Sequence, residues 1–298
     1  MRQRASHIWG ALILCLAAIY AVRESAWPAK LSIAAFCILF IGTRQNALGV
    51  RTHEGSHFLL FQNRRANDLI CNWLAAYWIA TDIRSYRAVH LRHHRFLHEA
   101  NDPDRELYLL PENGGHGAVL RCFLADLIGL TALKRLRLLL TRSSASAGTR
   151  GGARQTHLVG IVAAQGVLLG AAIYSFGGYR GILCYLVFWL VPLVKVYPFI
   201  IRLRTVTEHY SDELHHSDGH AFISRTSLTC WLERYLIGAD MEFHLEHHLN
   251  PAIPHYRLRQ LNRDLEKHGV FERMGKQKGK VLSDGYLRFW LRLVARKK

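Results

Sequence analysis

Apolar residues in this chain are concentrated in four blocks that carry almost no charge. The blocks cover residues 8–22, 31–41, 158–176 and 181–201. A helix that crosses a bilayer core of roughly 30 Å needs about 20 apolar residues. The two later blocks approach that length directly, and the second reaches it when it is extended back to Trp27 with Lys30 at the interface. The pattern predicts four membrane-spanning helices, at residues 8–22, 27–48, 158–176 and 181–201.

Two of these blocks have a second interpretation. The first follows two arginines, as the apolar part of a signal peptide does, but no clear small-residue cleavage site comes after it, which favours a retained span. Lys195 is the only charged residue of the last block. It is either a functional charge within the membrane or a side chain whose amine reaches the interface, and its position near one end of the block favours the latter.

The distribution of basic residues predicts the orientation of the spans. The chain has 39 Lys+Arg against 22 Asp+Glu, a formal net charge of +17. The short loops between paired spans contain only Arg23, Lys30 and Arg180 as basic residues. By the positive-inside rule, both termini and the segments 50–156 and 202–298 are cytoplasmic. The charge is then mainly a topology signal, and no nucleic-acid partner is expected.

The long polar segment between the hairpins has organisation of its own. Residues 67–90 and 119–140 each mix aromatic or apolar residues with polar ones, which is typical of a helix lying in the membrane interface, although a buried soluble helix would have a similar pattern. Residues 141–152 read as a flexible linker. We expect a single domain over 1–298, all-α, with four transmembrane helices under a cytoplasmic helical cap that bears the histidines.

The candidate chemistry lies in histidine clusters. Three clusters recur: His53 with His57, His90 with His93 and His94, and His244 with His247 and His248. On a helix, positions i, i+3 and i+4 share a face, so each cluster can direct its imidazoles to one point. A further candidate, His209, follows the last span.

Nine ring nitrogens exceed the needs of one tetrahedral ion and suit two ions with four or five ligands each. Imidazole binds Fe, Zn, Cu or Ni, so the ligands alone leave the metal open. The six cysteines are widely spaced and include no Cys-x-x-Cys pair, which excludes zinc ribbons and ferredoxin-like clusters.

The ordered histidine boxes resemble those of the membrane fatty acid desaturase and hydroxylase family. The resemblance extends to Asn101-Asp-Pro-Asp104 after the second box and to the residues that follow His248, and it covers roughly residues 30–265. It implies two iron ions held by the nine histidines, His209 among them. One departure is Thr205, where the acyl-CoA branch has an asparagine, which makes that branch less expected.

The resemblance also implies a reaction class. Such enzymes activate O2 and abstract hydrogen from an unactivated C–H bond to give an alkene, or an alcohol in the hydroxylases. We expect a lipid acyl chain as substrate; a hydroxylase or ketolase acting on a lipid or carotenoid is the alternative. Because the sequence has no recognisable flavin, haem or iron–sulfur site, an external ferredoxin or cytochrome b5 donor is required.

Carboxylates next to the boxes are candidate partners for the ring N–H groups of metal-bound histidines. These are Asp102, Asp104, Glu54, Glu208 and Glu246, with Asp104 favoured, and a surface position is the alternative for each. Other histidines are weaker candidates. His215, His216 and His220 are expected in a polar loop, His98 either near the second box or in solvent, and His255 in packing.

A histidine-rich metal transporter is the rival of another class. Transport sites place polar ligands near the bilayer midplane. The four predicted spans contain almost no such residues. The sequence therefore favours the enzyme.

Overall fold

The computed structural model describes residues 5–109, 115–134, 151–210, 224–273, 282, 283 and 285–295, and these are mostly helical. The first six helices are α1 (Ala5–Ala21), α2 (Trp27–Ser56), α3 (Arg64–Cys71), α4 (Ile83–Phe96), α5 (Arg105–Tyr108) and α6 (Gly115–Leu127). The later ones are α7 (Gly151–Phe176), α8 (Gly178–Tyr185), α9 (Tyr197–His209), α10 (Trp231–Glu233), α11 (His244–Leu249), α12 (His255–Lys267), α13 (Val270–Arg273) and α14 (Tyr286–Ala295). Strands β1 (Thr226–Ser227) and β2 (Leu282–Ser283) pair in parallel, Thr226 opposite Leu282.

Three helical runs are long and apolar enough to cross a membrane. They are Trp27–Ser56, Leu158–Phe176 and Gly178–His209. The first apolar block also forms a helix, but α1 has only 17 residues. Three of the four predicted spans therefore have helices of spanning length. The remaining one, at residues 8–22, stays a prediction.

Two helical hairpins form the apolar half of the molecule. Helices α1 and α2 pack together, as do α7 and α8, and their shared core includes Leu12, Ile41 and Trp189. The second hairpin turns at Gly177, whose φ of 78° suits glycine. A Cβ at Gly181 would lie only 2.4 Å from Ile173 Cα, so only glycine allows this close approach. An apolar cavity of about 150 Å³ lies between the hairpins.

The helix that begins at Gly178 continues to His209 despite two prolines. Proline lacks the N–H of the helical ladder and crowds the preceding turn. The run accommodates Pro192 by two π-helical turns, Leu186–Leu190 and Pro192–Val196, before α9 resumes regular geometry. Lys195 is half-buried within the second turn.

Helix α2 extends beyond the predicted second span, 27–48. The helix continues to Ser56, and the polar side chains of Arg44, Gln45 and Asn46 are buried within it. Segment 231–239 supplies acceptors for Arg44 and Asn46, and the Trp189 carbonyl accepts from Gln45 Nε2 at 3.0 Å. Arg44 donates to the Tyr235 carbonyl, and Asn46 Nδ2 donates to the Ile237 carbonyl at 2.7 Å. The first histidine box thus lies on the same continuous helix as the apolar block.

The two predicted interface segments also differ from single helices. Residues 67–90 divide at Ala80, which has a φ of 55°, and Asp82 caps α4 by accepting from the backbone N–H of Arg84 and Ser85. Helix α6 ends at Leu127, before Gly129 with its φ of 88°. Positions 141–150 of the predicted linker lie outside the described residues, and 151–152 already belong to α7.

Candidate metal centre

Four helices bring the predicted histidines together at one end of the hairpins. Helix α2 carries His53 in its last turn, His57 follows directly after its end at Ser56, and His209 is the last residue of α9. Helix α4 carries the second box and α11 the third. His57, His94 and His248 are half-buried, and the other six histidines are buried.

The nine histidines form two groups in space. The first group contains His53, His57, His90, His94 and His247; the second contains His93, His209, His244 and His248. Within each group the candidate ligand atoms lie within 4.8 Å of one another. One group thus has five histidines and the other has four. Each group contains histidines from more than one of the three sequence boxes.

The ring nitrogens converge closely. In the first group, the Nε2 atom of His90 lies 2.9 Å from that of His57 and 3.0 Å from that of His94. In the second, the Nε2 atom of His244 lies 3.0 Å from that of His209 and 3.1 Å from that of His248. Two nitrogens bound at right angles to one ion, with metal–nitrogen bonds of about 2.1 Å, would be about 3.0 Å apart.

The donor set therefore fits two metal ions. Both ring nitrogens of His53 are buried and have no hydrogen-bond partner among the described residues. Burying polar atoms without partners costs free energy of folding, and a metal ion bound to one of these nitrogens would remove part of that cost. Burial lowers the pKa of His57 to about 4 and that of His94 to about 3. Both rings are thus neutral at pH 7, which is the form that binds a metal.

His93 has a carboxylate partner, and it is Asp102. Its Nδ1 lies 3.0 Å from Asp102 Oδ1, and the hydroxyl of Tyr108 donates to Asp102 Oδ2. Burial opposes protonation of His93, but the hydrogen bond to Asp102 and the negative charges of Asp104 and Asp102 outweigh it and raise the pKa of His93. An Nδ1–H held in this way leaves Nε2 free for a metal. Asp104, favoured from the sequence, instead donates its backbone N–H to Asp102 Oδ1 at 2.9 Å.

The three glutamates adjacent to the boxes are buried rather than on the surface. Glu54 accepts from Arg51 at 2.6 Å and contacts His255 Nδ1. Glu208 pairs with Arg204 at 3.1 Å and lies 3.9 Å from His244 Nε2.

Glu246 lies within the third box, between His244 and His247. It accepts from Thr226 Oγ1 at 2.6 Å and from Asn262 Nδ2 at 2.5 Å. Burial raises its pKa. Its contacts tie α11 to β1 and α12, and so fix the helix that carries three histidines.

Arg87 joins the first two boxes, although no motif marks it in the sequence. It donates to the carbonyls of Ser56 and Gly55 at the end of α2, at 2.8 and 3.1 Å, and forms a two-point ion pair with Asp68. The end of α2 lacks intrahelical partners for its carbonyls. Arg87 satisfies them from α4 and thereby holds His57 near the second box.

The remaining histidines have varied positions. The ring nitrogens of His98 are buried, which excludes the solvent position, and its backbone N–H donates to Tyr108 Oη at 3.0 Å. His255 contacts Glu54 and belongs to neither histidine group. His215, His216 and His220 lie outside the described residues.

We expect Asp102→Asn to weaken metal binding about 10- to 100-fold, because the amide cannot accept the Nδ1–H of His93 with the strength of a carboxylate. Metal retained during dialysis against graded chelator would measure the change. Asp104→Asn is the matched control, since its backbone N–H remains, and should change affinity by less than about threefold. Equal losses in both variants would show that Asp102 has no special role.

Comparison with known proteins agrees with the histidine geometry. The sequence profile of the fatty acid desaturase family matches residues 29–275. The chain is also 25% identical over 265 residues to the dihydrorhizobitoxine desaturase of Bradyrhizobium elkanii, across 82% of this chain and 73% of that protein. All nine histidines lie within the matched range 29–275.

Proposed function

The chain belongs to the fatty acid desaturase family, and from this membership we propose that it is an integral membrane oxidoreductase with two histidine-bound iron ions that introduces a double bond into a lipid acyl chain. The observation that carries the proposal is the division of nine clustered histidines into groups of five and four. When bound, the two irons would supply O2 activation and hydrogen abstraction from an unactivated C–H bond.

The protein's own residues hold and orient the reactive centre. The two histidine groups would each hold one ion, and their burial excludes most bulk water from it. Asp102 accepts the Nδ1–H of His93 and so fixes which nitrogen faces the ion. Arg87 and Glu246 hold α2 and α11 in place around the centre.

A lipid substrate is supported by the position of the histidines. His53 and His209 lie at the ends of helical runs long and apolar enough to cross a membrane. A molecule dissolved in the bilayer would therefore reach the centre over a short distance. The segment 72–79, a π-helical stretch followed by a 3-10 stretch, supports an interfacial placement. Gln165 of α7 donates to the Tyr77 and Trp78 carbonyls, and Trp73 is exposed.

The stoichiometry requires an external electron donor. Desaturation removes two hydrogens from the substrate, and reduction of O2 to two waters needs two more electrons and two protons. We propose a ferredoxin or cytochrome b5 type of donor. Exposed arginines on the histidine-bearing α4 and on α12, among them Arg92, Arg95, Arg257 and Arg263, would attract an acidic partner.

We also propose that the histidine centre and both termini face the cytoplasm. The short connections of the two hairpins carry few basic residues, whereas the histidine-bearing segments carry most of them. The positive-inside rule then places the histidine side in the cytoplasm. Four spans, with α1 as the first, would return both termini to that side.

The function is tested in membranes that contain the protein, supplied with O2, NADPH, a reductase and either ferredoxin or cytochrome b5. Mass spectrometry of extracted lipids should find an acyl chain lighter by two hydrogens, and omission of the donor protein should abolish it. An acyl chain heavier by one oxygen would assign hydroxylation instead. Because the bacterial relative is named for dihydrorhizobitoxine, that compound belongs in the same assay, and its turnover without any lipid change would refute a lipid substrate.

A further inference from the structure

Helix α14 has an apolar face that no described part of the protein covers. Tyr286 and Trp290 are buried against the rest of the protein. A second stripe, Leu287, Leu291 and Val294, is 52%, 70% and 39% exposed. These residues follow an i, i+4, i+7 spacing and share one face. A helix of a water-exposed cap would be polar on that face, so the stripe indicates contact with an apolar partner.

The position of α14 connects this stripe to the membrane-facing part of the molecule. Trp290 Nε1 donates to the Leu203 carbonyl of α9 at 2.9 Å. Leu203 belongs to Gly178–His209, one of the runs long enough to cross a bilayer. Six residues separate Leu203 from His209, which corresponds to about 9 Å of helix. Helix α14 therefore packs against α9 near the end that carries His209, and its contact with α9 lies on the apolar side of the histidines.

A neighbouring helix repeats the pattern. In α6, Leu120, Leu124 and Leu127 are 58%, 48% and 42% exposed, again with i, i+4, i+7 spacing. The rings of Phe123 and Trp290 are 4.5 Å apart, so α6 contacts α14 directly. Exposed apolar stripes on two contacting helices indicate that both face the same apolar surroundings, which isolated surface leucines would not.

The charges beside the stripe identify the chemistry of that environment. Arg288 and Arg292 are exposed on the face of α14 next to the stripe, and Arg121 is exposed on α6. Arginines beside an apolar stripe suit the boundary between phospholipid headgroups and acyl chains, where the cations meet phosphates.

We propose that α14 lies in the plane of the membrane, with Leu287, Leu291 and Val294 inserted into the phospholipid leaflet on the histidine side and Arg288 and Arg292 among its headgroups. This inference deepens the proposed function and rests on its membrane location. It sets the leaflet boundary near the level of Leu203, about 9 Å along α9 from His209. An acyl chain in that leaflet then needs little displacement to reach the histidines.

Spin labels test the depth of α14 without reference to catalysis. Single cysteines, Leu291→Cys and Arg292→Cys, are introduced in the full chain after Cys122, Cys184 and Cys230 are replaced by serine. Successive residues are 100° apart around a helix, so the two labels sample different faces. The protein is reconstituted in vesicles of phosphatidylcholine with phosphatidylglycerol, and collisions with O2 and with a water-soluble nickel chelate are compared.

We expect the label at 291 to favour O2 over the nickel chelate at least about threefold more than the label at 292, as for a lipid-inserted position. Equal preference at both positions would place the stripe in water and overturn the inference. Protection of 291 from both reagents would assign the stripe to a protein partner or a second copy and also overturn it. Because neither label reports turnover, the result is independent of whether a lipid is oxidised.

Discussion

Replacing His247 by alanine is expected to reduce activity to less than about a hundredth of the unmodified level. The variant loses a nitrogen that would bind the metal directly, and even the hydrogen-bond partners of metal ligands contribute about 10- to 100-fold. His247 belongs to the group of five histidines, and its Nε2 lies 3.0 Å from that of His94. His248→Ala removes a nitrogen from the group of four. Each variant should lose the metal of its own group preferentially, which metal analysis of the purified protein would detect.

A control is available elsewhere in the chain. His268 lies at the end of α12, is exposed and contacts the Asp264 carbonyl rather than either group. His268→Ala should keep both metal and activity. Full activity in His247→Ala or His248→Ala, with the protein still in the membrane, would remove the basis for a two-group centre.

The second large effect concerns stability. We expect Asp126→Ala to destabilise the protein by about 3–5 kcal/mol, because it leaves the buried Arg202 guanidinium without its counter-charge. Asp126 is fully buried, and its carboxylate accepts from both Nε and Nη2 of Arg202, at 2.5 and 3.1 Å. The pair joins α6 to α9, so its loss should loosen the support of His209.

Thermal unfolding in detergent measures this change. The exposed pair of Arg23 and Glu24, 3.8 Å apart, provides the comparison, and Glu24→Ala should change stability by no more than about 1 kcal/mol. Replacing both Asp126 and Arg202 by leucine and methionine should recover much of the loss, since no unpaired charge remains. A similar small effect for Asp126→Ala and Glu24→Ala would contradict the structural role of the buried pair.

The histidines were predictable because local spacing determines which side chains share a helical face. The boxes at 53–57, 90–94 and 244–248 each lie on or at the end of one helix, as the spacing requires. Local spacing did not predict how the nine histidines divide into two groups in space. His93 and His94 are neighbours on α4 yet belong to different groups, because adjacent positions differ by 100° around the helix and the partners come from distant segments.

The polar contacts were harder to predict than the clustering of the histidines. Asp102 and Asp104 belong to the same turn, and only the folded backbone shows that Asp102 meets His93 while Asp104 offers its N–H. Tyr108 belongs to no recognised motif, yet its hydroxyl donates a hydrogen bond to Asp102 Oδ2. The burial of Arg44, within the predicted span 27–48, was also not predictable from its sequence neighbours, because its carbonyl and ring partner is the distant Tyr235.

The measurement that tests the central claim most directly is the metal content of the purified chain. Inductively coupled plasma mass spectrometry, together with Mössbauer spectroscopy of protein produced with ⁵⁷Fe, would count and identify the bound ions. The two histidine groups predict two irons per chain in nitrogen-rich sites, with about one retained in His247→Ala. One iron or none in active, unmodified protein, or zinc at both groups, would contradict the account.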